Sequence, residues 1–166
     1  MFLAPLLAAL ALTGSDYRER FPLPDLTVGA GWGVNIHFTD PEPGEMALLR
    51  DAGFKWVRMD LTWQAVERRR GVYDFRAYDR LMGHLEQHGL RALLILDYGN
   101  DLYEPGAPKS AEARRAFTRF AEAAVERYKG RGVLWELWNE PNLSRFWQPE
   151  ATAGQYAALA HDVGRA

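Results

Sequence analysis

Cysteine is missing from all 166 residues. That excludes a disulfide framework, a thiolate metal site and a cysteine nucleophile, and it fits any compartment. Neither sign of charge dominates: the formal net charge is −2, which gives no electrostatic reason to expect a nucleic-acid partner. A glycine-rich phosphate loop is lacking, which counts against nucleotide binding. There is no repeat, low-complexity segment or internal linker. The zinc-protease pattern H-E-x-x-H is also absent. His84 and His88 stand instead as H-x-E-x-H near a helix C-terminus, where the helix dipole alone favours histidine, so no metal and no cofactor are expected.

Apolar residues are plentiful. They make up 48% of the chain against 25% charged, a globular balance, and the length suits one domain with its own core. Six Trp and seven Tyr are many for this length. They serve either as core or as flat faces on which sugar rings stack.

The unbroken apolar run Phe2 to Leu12 is too short to span a bilayer as a mature helix, so no stable membrane insertion is expected. With Ala9 and Ala11 as small residues at a cleavage site, it reads as a secretory signal within residues 1–20, although no basic segment precedes it. The expected location is therefore secreted or periplasmic, with the folded domain over residues 27–166.

Along that domain, strand and helix patterns alternate. Gly31 to Phe38, Trp56 to Asp60, Arg91 to Asp97 and Val133 to Trp138 read as strands. Glu45 to Ala52 and Tyr78 to His88 read as helices, each followed by glycine. The helix from Ala113 to Tyr128 keeps helical spacing throughout, with Ser110 placed to cap it. Thr152 and Gln155 form a capping-box pattern ahead of Tyr156, Leu159, Ala160 and Val163. Four strand-helix units imply an α/β fold with a parallel sheet and right-handed crossovers. The long loops Leu61 to Arg76 and Tyr98 to Ser110 leave the C-terminal ends of strands, where parallel sheets build active sites. The run Glu67-Arg68-Arg69-Arg70 in the first of these reads as a solvated stretch of charge.

The fourth strand ends in L-W-E-L-W-N-E-P-N, Leu134 to Asn142. Strand parity puts Leu134, Glu136, Trp138 and Glu140 on one face, with Trp135 and Leu137 toward the helices. Pro141 has no N–H and favours the end of pairing, which leaves Glu140 at the inward lip of the strand. Burial beside tryptophan suits a carboxyl group that must act as a general acid. On the second strand Trp56, Arg58 and Asp60 share a face. An inward arginine requires carboxylate partners, and Glu136 is one candidate.

W-N-E-P on the fourth strand of such a series resembles the acid/base motif of retaining glycoside hydrolases of clan A. The nearest likeness is to the cellulase-like family 5, then to family 39, which includes β-xylosidases and exopolysaccharide hydrolase-like enzymes. The resemblance covers about Gly29 to Ala166. It implies a TIM (β/α)8 barrel of which this chain holds the first four βα units. It also implies Glu140 as general acid/base and Asn139 as the residue that grips the hydroxyl beside the anomeric carbon. Arg58 would orient the nucleophile. His37 is carried over as a substrate contact, or else is a hydrogen-bonded core histidine. Tyr98, Asn100 and Trp147 are further candidate substrate-binding residues. Trp32, Trp63 and Trp147 are candidate sugar platforms, or else packing under loops.

In the clan, the nucleophile is a glutamate on the seventh strand, which four units do not contain. Glu42, Glu45 and Glu104 have no comparable setting. The expected activity is double-displacement hydrolysis of a β-linked glycan, with an oligo- or polysaccharide as substrate. A missing C-terminal half-barrel, or a second copy, is needed to close the barrel. The alternatives are a non-catalytic carbohydrate-binding half-barrel or pseudoenzyme, and a stand-alone α/β binding domain. Asn142-Leu143-Ser144 matches a glycosylation acceptor, a pattern that also arises by chance.

Overall fold

The computed structural model describes residues 31–166, so the signal-peptide reading of residues 1–20 lies outside the described residues. Four strands form one parallel sheet in the order β1-β2-β3-β4: β1 (Gly33–Asn35), β2 (Trp56–Thr62), β3 (Arg91–Asp97) and β4 (Leu134–Leu137). Between and after them run α1 (Glu45–Asp51), α2 (Trp63–Val66), α3 (Arg76–Gln87), α4 (Ala111–Arg127) and α5 (Ala153–Arg165). This is an open half of a (β/α)8 barrel. Among the described residues, β1 and β4 each pair on one side only.

The two periodicities of the sequence explain the layers. Outward side chains of β2 and β3 (Val57, Leu61, Leu94, Leu96) meet Leu81, Met82 and Leu85 of α3 and Phe117, Phe120 and Ala124 of α4 in one buried cluster. Alanine at 116, 121 and 124 lets the backbone of α4 come close to the sheet. Ser110 Oγ accepts from the backbone N–H of Ala113 and caps α4, as the sequence implies. The capping box at α5 does not form. Thr152 is the N-cap but makes no side-chain cap bond, and Gln155 instead accepts from the indole N–H of Trp147.

Strand ends differ from expectation in informative ways. β1 is only three residues long, although Ile36 still donates to the carbonyl of Arg58. β2 runs two residues further, to Thr62, and passes directly into the short helix α2 inside what reads as a loop. This helix turns Glu67 inward. Glu67 is fully buried, accepting from Trp63 Nε1 (2.6 Å), the Gly71 N–H and the Tyr103 hydroxyl (both 2.5 Å), so the charge run is not wholly solvated. Desolvation of that carboxylate is offset by three donors.

The loops after β3 and β4 are locked together by close backbone approach. A Cβ on Gly99 would sit 1.8 Å from the carbonyl oxygen of Gly106, and one on Gly106 would meet the carbonyl oxygen of Gln148 at 2.7 Å. Gly106 also has φ +77°, a conformation that L side chains rarely adopt. These glycines hold the two site loops in register.

Candidate active site

Parity places Arg58 of β2 and Glu136 of β4 on the concave side of the sheet, and they meet across β3. Arg58 Nε donates to Glu136 Oε2 at 2.8 Å, and Nη2 donates to Oε1 at 2.6 Å, a bidentate pair. Both side chains are about one-third exposed (29% and 32%). The pairing holds the guanidinium proton more tightly than usual, chiefly through the Glu136 hydrogen bonds. The same Nη2 also donates to Asn139 Oδ1 at 3.0 Å, and Asn139 Nδ2 donates to the Tyr98 hydroxyl at 3.1 Å. Because a guanidinium only donates, the amide oxygen of Asn139 must face it. Its NH2 group then points toward Tyr98 and keeps a second N–H for another acceptor.

The stretch after β4 departs from simple alternation. Trp138 has φ 65° and Glu140 has φ 48°, both left-handed and both uncommon for residues with a side chain. The expectation that Trp138 shares a face with Glu136 is therefore corrected. Trp138 turns to the helix side, where it is buried against Phe117, Trp147 and Tyr98 and donates its indole N–H to the carbonyl of Phe146. That packing over-determines an unfavourable backbone state of the kind found at functional sites. Its result is that Asn139, not Trp138, joins Arg58 and Glu136.

Glu140 follows at the C-terminal end of the sheet. The expected burial beside tryptophan is corrected among the described residues: its side chain is 46% exposed, and its Oε2 lies 3.6 Å from Arg145 Nη2. Arg145 in turn lies over the ring of Phe146, which stacks on Tyr98. A cleft of about 320 Å³ opens beside this group, between Tyr98, Arg145 and Phe146 on one side and Gln64 and Asp101 on the other. A second cleft of about 630 Å³ adjoins it, sharing Gln64 and Asp101 and reaching Arg68. The smaller cleft lies among the loops that follow β2, β3 and β4, and the larger between those that follow β2 and β3.

The other expected site residues divide. His37 lies past the end of β1 with its side chain 80% exposed, so the core-histidine reading is excluded; its Nδ1 is 4.0 Å from Asp60 Oδ2. Tyr98 is half-buried and reaches Asn139. Asn100 lines the larger cleft and also has a structural role. It is buried, donates to the carbonyl of Glu67 and accepts from the N–H of Leu102, so it fastens the β3 loop to α2. Trp147 is corrected: it is fully buried against Trp138 and Tyr156, with no face left for a sugar. Trp63 is core for the same reason, whereas Trp32 is exposed. Trp147→Phe is accordingly expected to cost about 1–3 kcal/mol of stability, from lost packing and the lost bond to Gln155, without weakening sugar binding. Denaturant melts alongside binding isotherms check this.

Sequence reasoning passed over Asp97, the last residue of β3. It is fully buried, and neither side-chain oxygen has a hydrogen-bond donor among the described residues. An aspartate two positions beyond inward Ile95 was the available signal. No group of three or more potential metal-ligating His, Asp or Glu side chains occurs among the described residues, and none of their helices is long and apolar enough to cross a membrane.

Comparison with known proteins agrees with this fold. The phospho-cellobiase of Klebsiella oxytoca is 25% identical over 151 residues, covering 80% of this chain and 32% of that protein. The chain thus spans about a third of the length of that curated relative. A family 39 glycoside hydrolase from Bacteroides cellulosilyticus WH2 superposes with a TM-score of 0.64 at 26% identity, over 81% of this chain and 29% of the other. An endoglucanase from Pseudomonas stutzeri gives 0.65 at 20% identity, over 86% and 47%, and shares the fold. The model of the cellulase family, glycosyl hydrolase family 5, matches residues 18–164, and the chain belongs to that family.

Proposed function

We propose that this chain carries the acid/base half of a retaining glycoside hydrolase that acts on a β-linked glycan. The observation that supports this most is the continuous hydrogen-bonded chain Glu136–Arg58–Asn139–Tyr98, which fixes the residue immediately before Glu140 at the C-terminal end of β4. Glu140 protonates the departing glycosidic oxygen and then takes a proton from the attacking water. The free N–H of Asn139 is placed to donate to the hydroxyl beside the anomeric carbon. Tyr98 and His37 border the same site, and the clefts beside Phe146 and Arg68 receive neighbouring sugar units. Four further strands close the sheet, cover Glu140 and bring a nucleophilic carboxylate to within about 5–5.5 Å of it, the separation that a retaining mechanism needs. The apolar run Phe2 to Leu12 supports export to the secreted or periplasmic space, where such glycans are met.

The closed barrel is expected to hydrolyse a β-configured aryl glycoside with retention, giving the β-anomer as the first product in a time-resolved proton NMR experiment. First formation of the α-anomer would overturn the retaining mechanism. A second reading, a carbohydrate-binding protein without turnover, rests on there being no second glutamate beside Glu140 among the described residues. Saturable oligosaccharide binding with no hydrolysis would favour it.

A further inference from the structure

Asp97 is a buried carboxyl group for which the proposed reaction has no use. The groups that face it are Asp60 and Arg58 from β2, Glu136 from β4, Tyr78 from α3 and the adjoining Tyr98. No donor among these reaches either oxygen of Asp97. Arg58 Nε and Nη2 serve Glu136 and Asn139, the Tyr98 hydroxyl accepts from Asn139, and the Tyr78 hydroxyl donates to the backbone carbonyl of Asp60 while accepting from the N–H of Thr62. A buried carboxylate without a donor is strongly disfavoured. A buried carboxylic acid is not, provided that its O–H finds an acceptor, and Asp60, which pairs with Ile95 and so lies on the same inward face of the sheet as Asp97, is the candidate.

We propose that Asp97 persists as a carboxylic acid through neutral pH and donates its proton to the Asp60 carboxylate, acting as a positioning residue for Asp60. Asp60 is itself 4.0 Å from the His37 ring. A relay Asp97–Asp60–His37 therefore runs from the buried end of β3 to the exposed end of β1, and sets the acceptor that faces the imidazole. The electrostatics agree: burial first, then the charge of Asp60, push Asp97 from its ordinary value of 3.8 to about 9, against a smaller opposing pull from Arg58. Two facing carboxyl groups sharing one proton also avoid a like-charge contact.

The sign of the pH effect follows by linkage. Between 3.8 and about 9 the folded state holds a proton that the unfolded state has released, so stability falls as pH rises through this window and levels off above it. Asp97→Asn removes the titration and keeps an N–H donor toward Asp60. The melting temperature of Asp97→Asn relative to the unaltered chain is therefore expected to climb steadily from about pH 5 to about pH 8. Infrared spectra of the unaltered chain at about pH 7 should also show the carbonyl stretch of a protonated, water-shielded carboxylic acid, and Asp97→Asn should lose it. A melting difference that does not change with pH, or no such band in the unaltered chain, overturns the proposal. The infrared measurement decides even if the variant does not fold. Neither readout involves turnover, so failure here is distinct from failure of the glycosidase reading.

Discussion

Replacing Glu140 with glutamine is expected to slow hydrolysis of a β-glycoside with a poor leaving group by roughly 10²–10⁴-fold, the range for removing a general acid. The amide keeps the size and hydrogen-bonding reach of the side chain but carries no transferable proton. Stability should hardly move, because Glu140 is 46% exposed and its ion pair to Arg145, at 3.6 Å, is a surface contact. Turnover on alkyl β-glycosides and a denaturant melt, measured on the same preparation, separate the two effects. A large loss of stability would mean that Glu140 holds the loop after β4 rather than donating a proton.

Arg58→Ala is expected to act on both stability and rate. It removes the two donors to Glu136 and the one to Asn139, leaving a partly buried carboxylate without its cation. Breaking a fully buried pair costs about 3–5 kcal/mol, and the one-third exposure of both partners puts this case at or below the lower end, about 3 kcal/mol. Asn139 then loses the contact that fixes its amide. A shift of about 1 Å in a positioning group can cost about 10²-fold in rate. Arg58→Lys keeps the charge but not the planar fork, so it cannot serve Glu136 twice and Asn139 once, and should recover stability better than rate. Chemical denaturation and kcat/KM on the two variants check this. Full recovery of rate by lysine would show that charge alone, not geometry, is what Arg58 supplies.

Much of this arrangement is legible in the sequence because it depends on local period. The alternation of β2 and β4 sends Arg58 and Glu136 to one side, and their pairing follows from the cost of an unpaired inward charge. The helical spacing of α4 and its Ser110 cap are equally local. What escapes the sequence depends on backbone turns or on contacts far along the chain. Parity fails at Trp138 because a left-handed residue rotates the side chain to the other layer, and nothing in W-N-E-P announces a φ of 65°. Trp63 and Trp147 resemble site residues by type, but α2 and the glycine-locked loops carry them into the core. Glu67 is the converse: a member of a charged run that three donors draw inside. Asp97 sits at the end of an apolar strand, and its isolation from donors becomes visible only when β2, α3 and β4 are in place around it.

The measurement that bears most directly on Glu140 uses two aryl β-glycosides with the same sugar, one with a good leaving group and one with a poor one. A nitrophenolate departs without help, whereas a more basic phenolate needs the proton. The loss caused by Glu140→Gln should be far steeper on the poor leaving group than on the good one. Equal losses on the two substrates would contradict Glu140 as the proton donor.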